Sequence, residues 1–141
     1  MKKSLTAQAI RDSFIGLALI TEHFNQVLMS KTYDDDIGTL KSVVKNARIA
    51  NNKAVGQLIK LYKIYEKDTE LAKETLMPLL ANESPSVKTW AATHCLVLGI
   101  SVKKAEEILI NATKESGPIG LESKMVLAEW RKGTLRIYQK K

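Results

Sequence analysis

The chain has 141 residues, of which 45% are hydrophobic and 26% are charged, and this composition is typical of one globular domain rather than of a disordered chain. Its 22 lysine and arginine residues exceed its 15 aspartate and glutamate residues, and the net charge of +7 favours an acidic partner, whether nucleic acid, an acidic protein surface or a membrane surface. The single cysteine, Cys95, excludes an internal disulfide, and the longest uncharged segment, 13–21, is too short for a membrane span of ~20 residues, so we expect a cytoplasmic protein.

Apolar residues recur at helical spacing along most of the chain, and no alternating run of strand length occurs. The first predicted helix begins at Ser4 or Thr6 and ends near Met29. The segment Ile37–Tyr65 carries one long apolar stripe that only Asn51 interrupts, so it fits either one long helix or two shorter ones.

Capping residues and prolines divide the second half of the chain into four further helices. Their predicted starts are Asp68 or Thr69, Ser84 followed by Pro85, Ser101, and Pro118. Their predicted ends are the break at 82–85, Gly99, the region near Gly117, and Gly133. The last helix is predicted to turn Leu121, Met125, Leu127, Ala128 and Trp130 inward. Helices of this length with short links are typical of helical hairpins stacked into a bundle or solenoid.

Two stretches of the second half resemble a known family. They are LMPLL at 76–80 followed by SPSVKTWAATH at 84–94, and IGLE at 119–122 leading to MVLAEWRKG at 125–133. Together with Asn52 and Lys53, which precede the 58–65 segment, they resemble a small bacterial HEAT-like helical family of unassigned function, over residues 50–133.

The resemblance implies an all-α, HEAT-like stack of antiparallel helical pairs with five to seven helices. The chain is then a single helical domain over 1–141 with a basic tail at 134–141. Members of such families often resemble immunity proteins encoded beside secreted bacterial toxins. The resemblance therefore implies a protein that binds and neutralises a cognate toxin domain, as a monomer in a 1:1 complex and with no membrane partner.

Basic residues cluster in two blocks that contain no acid, one between Lys41 and Lys63 and one at the C-terminus. The candidate partner-binding residues in these blocks are Lys41, Lys45, Arg48, Lys53, Lys60, Lys63, Arg131, Lys132 and Arg136. Such blocks contact phosphates or acidic protein surfaces, although a solvated lysine face gives the same pattern. Candidate stacking residues for nucleic-acid bases are Tyr33, Tyr62, Tyr65 and Tyr138, and at least two of them fall on core-facing positions.

The sequence contains no motif for catalysis, cofactor binding or metal binding: a glycine-rich phosphate loop, Cys/His metal spacing, HExxH and GxSxG are all missing. His94 and Cys95 are adjacent, and adjacent side chains on a helix point ~100° apart, so a packed histidine is favoured over a catalytic dyad. The acidic run Asp34–Asp36 could bind a divalent ion, but acids at a helix N-terminus explain it more simply.

These observations predict a binding protein with no enzymatic activity and no cofactor or metal. The leading hypothesis is an immunity protein that binds and neutralises a toxin domain. The alternative is a nucleic-acid-binding HEAT-like protein that uses the basic face between Lys41 and Lys63.

Overall fold

A computed structural model describes residues 2–29 and 37–137, with side chains over 7–27 and 44–137. These residues form six helices and no strand: α1 (Lys2–Met29), α2 (Ile37–Lys67), α3 (Thr69–Leu79), α4 (Pro85–Leu98), α5 (Val102–Ala112) and α6 (Pro118–Lys132). The predicted all-α fold of five to seven helices is therefore confirmed. The run Asp34–Asp36, the stacking candidates Tyr33 and Tyr138, and the side chain of Lys41 lie outside the described residues.

Helix α2 is one continuous helix of 31 residues, about 46 Å long at 1.5 Å per residue. Asn51 and Asn52 lie inside it without a break. The buried stripe continues on both sides of them, through Ala47 before and Ala54 and Leu58 after. Packing of this stripe outweighs the modest helix propensity of two asparagines, so the one-helix reading of the segment is the right one.

Three helix boundaries follow the capping chemistry expected from the sequence. Asp68 accepts a hydrogen bond from the backbone N–H of Leu71 at 3.1 Å, and Ser84 accepts one from the N–H of Val87 at 3.2 Å. Gly99 ends α4 with a φ of 76°, in the left-handed region where a residue without a Cβ is favoured.

The boundaries of α5 differ from the prediction. Ser101 precedes the helix, but its side chain makes no capping hydrogen bond. The helix ends at Ala112 rather than near Gly117, because the backbone from Thr113 to Glu115 tightens into turns in which each N–H bonds three residues back.

Helix α4 lies at the centre of the molecule, since α1, α3, α5 and α6 all pack against it. It runs antiparallel to α1, because Trp90 contacts Thr21 while His94, one turn later, contacts the earlier residue Phe14. Its fully buried alanines, Ala91 and Ala92, let the neighbouring helices approach closely. Helix α2 lies outside this centre and packs mainly on α1 and α3.

The buried face of α6 is only partly the one predicted, since Leu127 is buried and Trp130 packs half-buried against the core, whereas the other predicted residues are exposed. Leu121 and Met125 are 62% and 59% exposed, and Ala128 is exposed as well. Gly120 and Ser123 complete the buried stripe with Leu127, at the i, i+3, i+7 spacing of one helical face. Small residues allow α6 to approach α4 and α5 closely, so a search for large apolar residues finds only part of the buried face.

Gly120 is required by a close approach of the backbone that precedes α6. A Cβ atom added at this position would lie 1.9 Å from the backbone oxygen of Glu115, which no rotamer change can relieve. The chain therefore returns over the first turn of α6 only because residue 120 has no side chain. By contrast, a Cβ added at Gly56 in α2 meets nothing within 4 Å.

We expect Gly120→Ala to lower the free energy of unfolding by about 2 kcal/mol or more, because the backbone at 115 must move. Gly56→Ala is the matched control and should raise it by roughly 0.5–1 kcal/mol, since alanine restricts the unfolded chain and fits the helix. Urea denaturation of both variants measures these changes. Equal effects of the two substitutions would contradict the close approach at Gly120.

Candidate functional site

The outward face of α2 carries most of the basic residues identified from the sequence. Ala54, Leu58 and Tyr65 define the buried side of the helix. The exposed basic residues are Lys45, Arg48, Lys53, Lys60 and Lys63, and we call their surface the basic face. Continuity of α2 is what brings them together, because a break at residue 51 would have pointed the two halves in different directions.

Most of the cations on the basic face form no ion pair with the part of the chain that the structure describes. Lys45, Arg48, Lys53 and Lys60 make no ion pair with any described residue. The C-terminal block differs, since Arg131 pairs with Glu106 at 3.8 Å and Lys132 with Glu129 at 3.4 Å. Within α5, the i, i+3 spacing of Lys103 and Lys104 to Glu106 and Glu107 would allow ion pairs, but none of these is among the ion pairs of the described residues. Among the described candidate residues, the cations without an ion pair therefore lie mainly on α2.

Two isoleucines interrupt the charges of the basic face. Ile49 is 56% exposed and lies one turn from both Lys45 and Lys53, at the i, i+4 spacing of one row. Ile64 is 42% exposed and stands in the same relation to Lys60. The basic face is thus a mixed surface, with apolar patches between cations.

The aromatic residues of α2 do not reach this surface. Tyr62 and Tyr65 are 5% and 0% exposed, so neither can stack on a nucleic-acid base. Trp90 and Trp130 are half-buried and pack against the core, as their helical spacing indicates.

A second surface feature is a groove beside Trp90. Its wider part, about 250 Å³, lies between α4, α6 and the segment 135–137, and its narrower part, about 90 Å³, lies between α1, α2, α4 and α6. Thr89, Trp90, Ile119 and Glu122 line both parts, so we treat them as one feature, the Trp90 groove. Arg136, from the basic tail, lines its wider part.

Hydrogen bonds to α1 fix the walls of this groove. The indole N–H of Trp90 donates to the hydroxyl of Thr21 at 3.1 Å, and that hydroxyl donates to the backbone oxygen of Ala18 at 2.6 Å. Ser84 donates to a carboxylate oxygen of Glu22 at 2.7 Å and holds the same two helices together at the start of α4. Sequence reasoning missed the groove because its residues come from five helices and from the segment 135–137. The one available signal was Asn51, a polar interruption of the apolar stripe, which lines the narrower part.

His94 and Cys95 are both fully buried and are not available to a substrate. The His94 ring contacts Phe14, Tyr62 and Tyr65 at centroid distances of 5.2, 5.6 and 6.1 Å, and its Nδ1 donates to the backbone oxygen of Trp90 at 2.8 Å. Burial lowers the pKa of His94 to about 4 and raises the pKa of Cys95 to about 12. At neutral pH the pair is an uncharged imidazole and an uncharged thiol, packed in the core.

Within residues 2–29 and 37–137, no three His, Cys, Asp or Glu side chains come together as a possible metal-binding group. None of the helices described there has both the length and the apolar character that crossing a membrane requires.

Comparison of the chain with family models, with curated proteins and with solved structures gives no match. The HEAT-like family assignment therefore stays a prediction from the sequence motifs.

The buried imidazole predicts a specific pH dependence of stability. The pKa of His94 is about 4 in the folded chain and 6.5 in the unfolded one, so only the unfolded chain takes up this proton between those values. The free energy of unfolding should therefore fall by about 3 kcal/mol as the pH decreases from 6.5 to 4, at ~1.4 kcal/mol per unit of pKa difference.

Denaturant titrations of the wild type and of His94→Gln across this pH range test the prediction. Glutamine keeps a buried amide in place of the ring but does not titrate. The variant should be less stable at pH 7 and should lose less stability on acidification. Parallel profiles for the two proteins would show that His94 does not carry the effect.

Proposed function

We propose that this chain is an immunity protein, which binds a cognate bacterial toxin domain in a 1:1 complex and neutralises it without chemistry of its own. The basic face of α2 is the observation that carries the proposal. It presents four cations that pair with no described acid, on a helix whose outward side no other described helix covers.

The mixture of charges and apolar side chains favours a protein partner. Protein interfaces combine a buried apolar centre with a polar or charged rim. Ile49 and Ile64 supply apolar contacts between lysines, whereas a phosphate backbone offers nothing for an exposed isoleucine to pack against. The burial of Tyr62 and Tyr65 also removes two of the side chains that would stack on bases.

Inhibition would be steric and electrostatic. The net charge of +7 accelerates association with an acidic surface, and the rigid α2 helix then covers the active site of the toxin or the approach of its substrate. Since an exposed helix of this length needs no rearrangement on binding, little conformational entropy is lost.

Nucleic-acid binding is the second candidate, and the same unpaired cations favour it. Lys45, Arg48, Lys53 and Lys60 extend over about 22 Å of helix, a distance that spans several phosphates of a backbone. This function predicts affinity for generic DNA or RNA that falls steeply with salt, without a requirement for Ile49 or Ile64.

Charge reversal on the basic face tests the proposed function. We expect the variant Lys45→Glu, Arg48→Glu, Lys53→Glu to bind its toxin domain about tenfold more weakly or worse, because three favourable charge contacts of roughly 0.2–1 kcal/mol become repulsive. The matched control is Lys103→Glu, Lys104→Glu, Lys124→Glu, which changes the net charge equally at exposed positions on α5 and α6 and should bind normally.

The partner is first obtained by pull-down from the native bacterium after nuclease treatment, and affinities are then measured by calorimetry with the purified toxin domain. Stoichiometric inhibition of the toxin by the wild-type chain supports the proposal. Capture of nucleic acid alone, released at high salt, would replace it with the second candidate. Normal binding by the α2 variant would show that the basic face is only a solvated surface.

A further inference from the structure

The Trp90 groove lies beside the basic face, and its narrower part is lined by an acid rather than by lysines. Asn51 and Val55 of α2 line its narrower part, and Arg48 lies one turn before Asn51 on the same side of the helix. A partner that covers the basic face therefore reaches the mouth of the groove. Among the described residues, Glu122 is the one charged residue that lines the narrower part.

The hydroxyl groups along the groove offer acceptors rather than donors. Thr21 donates to the backbone oxygen of Ala18 at 2.6 Å, and its oxygen already accepts from Trp90. Thr89 donates to backbone oxygens at the start of α4, and Thr93 donates to the backbone oxygen of Thr89 at 2.8 Å. Each of these hydroxyl groups already donates its one proton within its own helix. The oxygens of Thr89 and Thr93 can therefore only accept hydrogen bonds from a ligand.

Glu122 adds a carboxylate that forms no ion pair with a described residue, although Arg136 lines the wider part of the same groove. In contrast, Glu70, Glu106 and Glu129 each pair with a lysine or arginine. Glu122 keeps contact with solvent at the groove mouth, yet burial by the groove walls raises the pKa of its carboxyl above the ordinary value. A cation bound beside Glu122 would stabilise the charged carboxylate and so compensate for the contact with water that burial removes.

We propose that the Trp90 groove receives a lysine or arginine side chain of the partner protein, held by the carboxylate of Glu122, the lone pairs of Thr89 and Thr93, and the indole of Trp90. Ammonium and guanidinium groups carry only donors, which matches a wall of acceptors, and tryptophan is the aromatic residue that cations prefer. This inference rests on the proposed function, because the side chain belongs to the protein that covers the basic face.

The two surfaces together define the charge pattern of the partner. Its surface opposite α2 is acidic, and one basic side chain projects from it toward Glu122. The basic face binds acids of the partner, whereas Glu122 binds a cation of the partner. These two contacts of opposite sign fix the position of the partner, since a shifted arrangement would bring like charges together.

The cation preference of the groove is tested without the partner. The ¹⁵N-labelled full chain is titrated with acetyl-arginine methylamide and, as an uncharged analogue of nearly the same shape, acetyl-citrulline methylamide. Trp90 and Trp130 give separate indole N–H signals, and Trp130 does not line the groove, so it serves as an internal reference. We expect the chemical shift of the Trp90 indole N–H to change saturably at millimolar concentrations of the arginine probe. The citrulline probe should cause no change, and neither should the arginine probe in the variant Glu122→Gln. The control variant Glu107→Gln removes an exposed carboxylate on α5 and should keep the shift.

The partner's role is tested in the complex. We expect Glu122→Lys to weaken binding of the toxin domain about tenfold or more, with Glu107→Lys as the control of equal charge change. Unchanged affinity for Glu122→Lys, with the basic-face variant still impaired, would overturn this inference and leave the proposed function standing.

A Trp90 shift with the arginine probe but no protein partner would overturn the proposed function and support only the cation preference. A Trp90 shift produced by raising the protein concentration alone would identify a second copy of this chain as the occupant and overturn the inference.

Discussion

The structure depends on packing four helices around one short helix, α4. A helix that neighbours surround must be apolar on nearly all sides, and its side chains must be small where two neighbours meet. Half of the fourteen residues of α4 are buried, and Ala91 and Ala92 are fully so. Enlarging either alanine would push α1 or the C-terminal helices away from the centre. The rest of the fold follows from this constraint, because each outer helix needs only one stripe facing α4 or α1.

Burying α4 also forces polar groups into the core, and the protein satisfies them unevenly. The indole of Trp90 is bonded to Thr21, which ties α4 to α1. His94 bonds to Trp90 on its own helix and also interacts with the backbone of Leu58, while the hydroxyls of Tyr65 and Thr75 interact with each other at poorer geometry than a full hydrogen bond. Burial keeps the imidazole uncharged, so the junction of α1, α2 and α4 combines close packing with polar atoms whose hydrogen bonds are weakly formed.

A structural feature could be predicted from the sequence only where the residues that determine it are close together in the chain. The caps at Asp68 and Ser84 and the stop at Gly99 act within one helical turn, and they could be identified from the residues alone. Leu121 and Met125 were assigned to the core because large apolar residues usually face it, but α6 approaches its neighbours through glycine and serine. No local pattern distinguishes a close approach from an exposed apolar face. The Trp90 groove was equally out of reach, since Thr21, Asn51, Trp90 and Glu122 are brought together only by the tertiary packing.

Helix α2 lies outside the group of helices that pack around α4, and this explains why we expect its outward face to bind the partner. The buried stripe of α2 serves the fold, and it leaves about half of the helix circumference free of any packing requirement. Stability alone would favour alternating charges on such a face, because acids placed one turn from lysines pair with them. The segment from Lys41 to Lys63 contains no acid, although the chain has 15 acidic residues. The segment thus supplies no acid of its own to Lys45, Arg48 or Lys53, and an external acidic surface that provides carboxylates gives a physical reason for this composition.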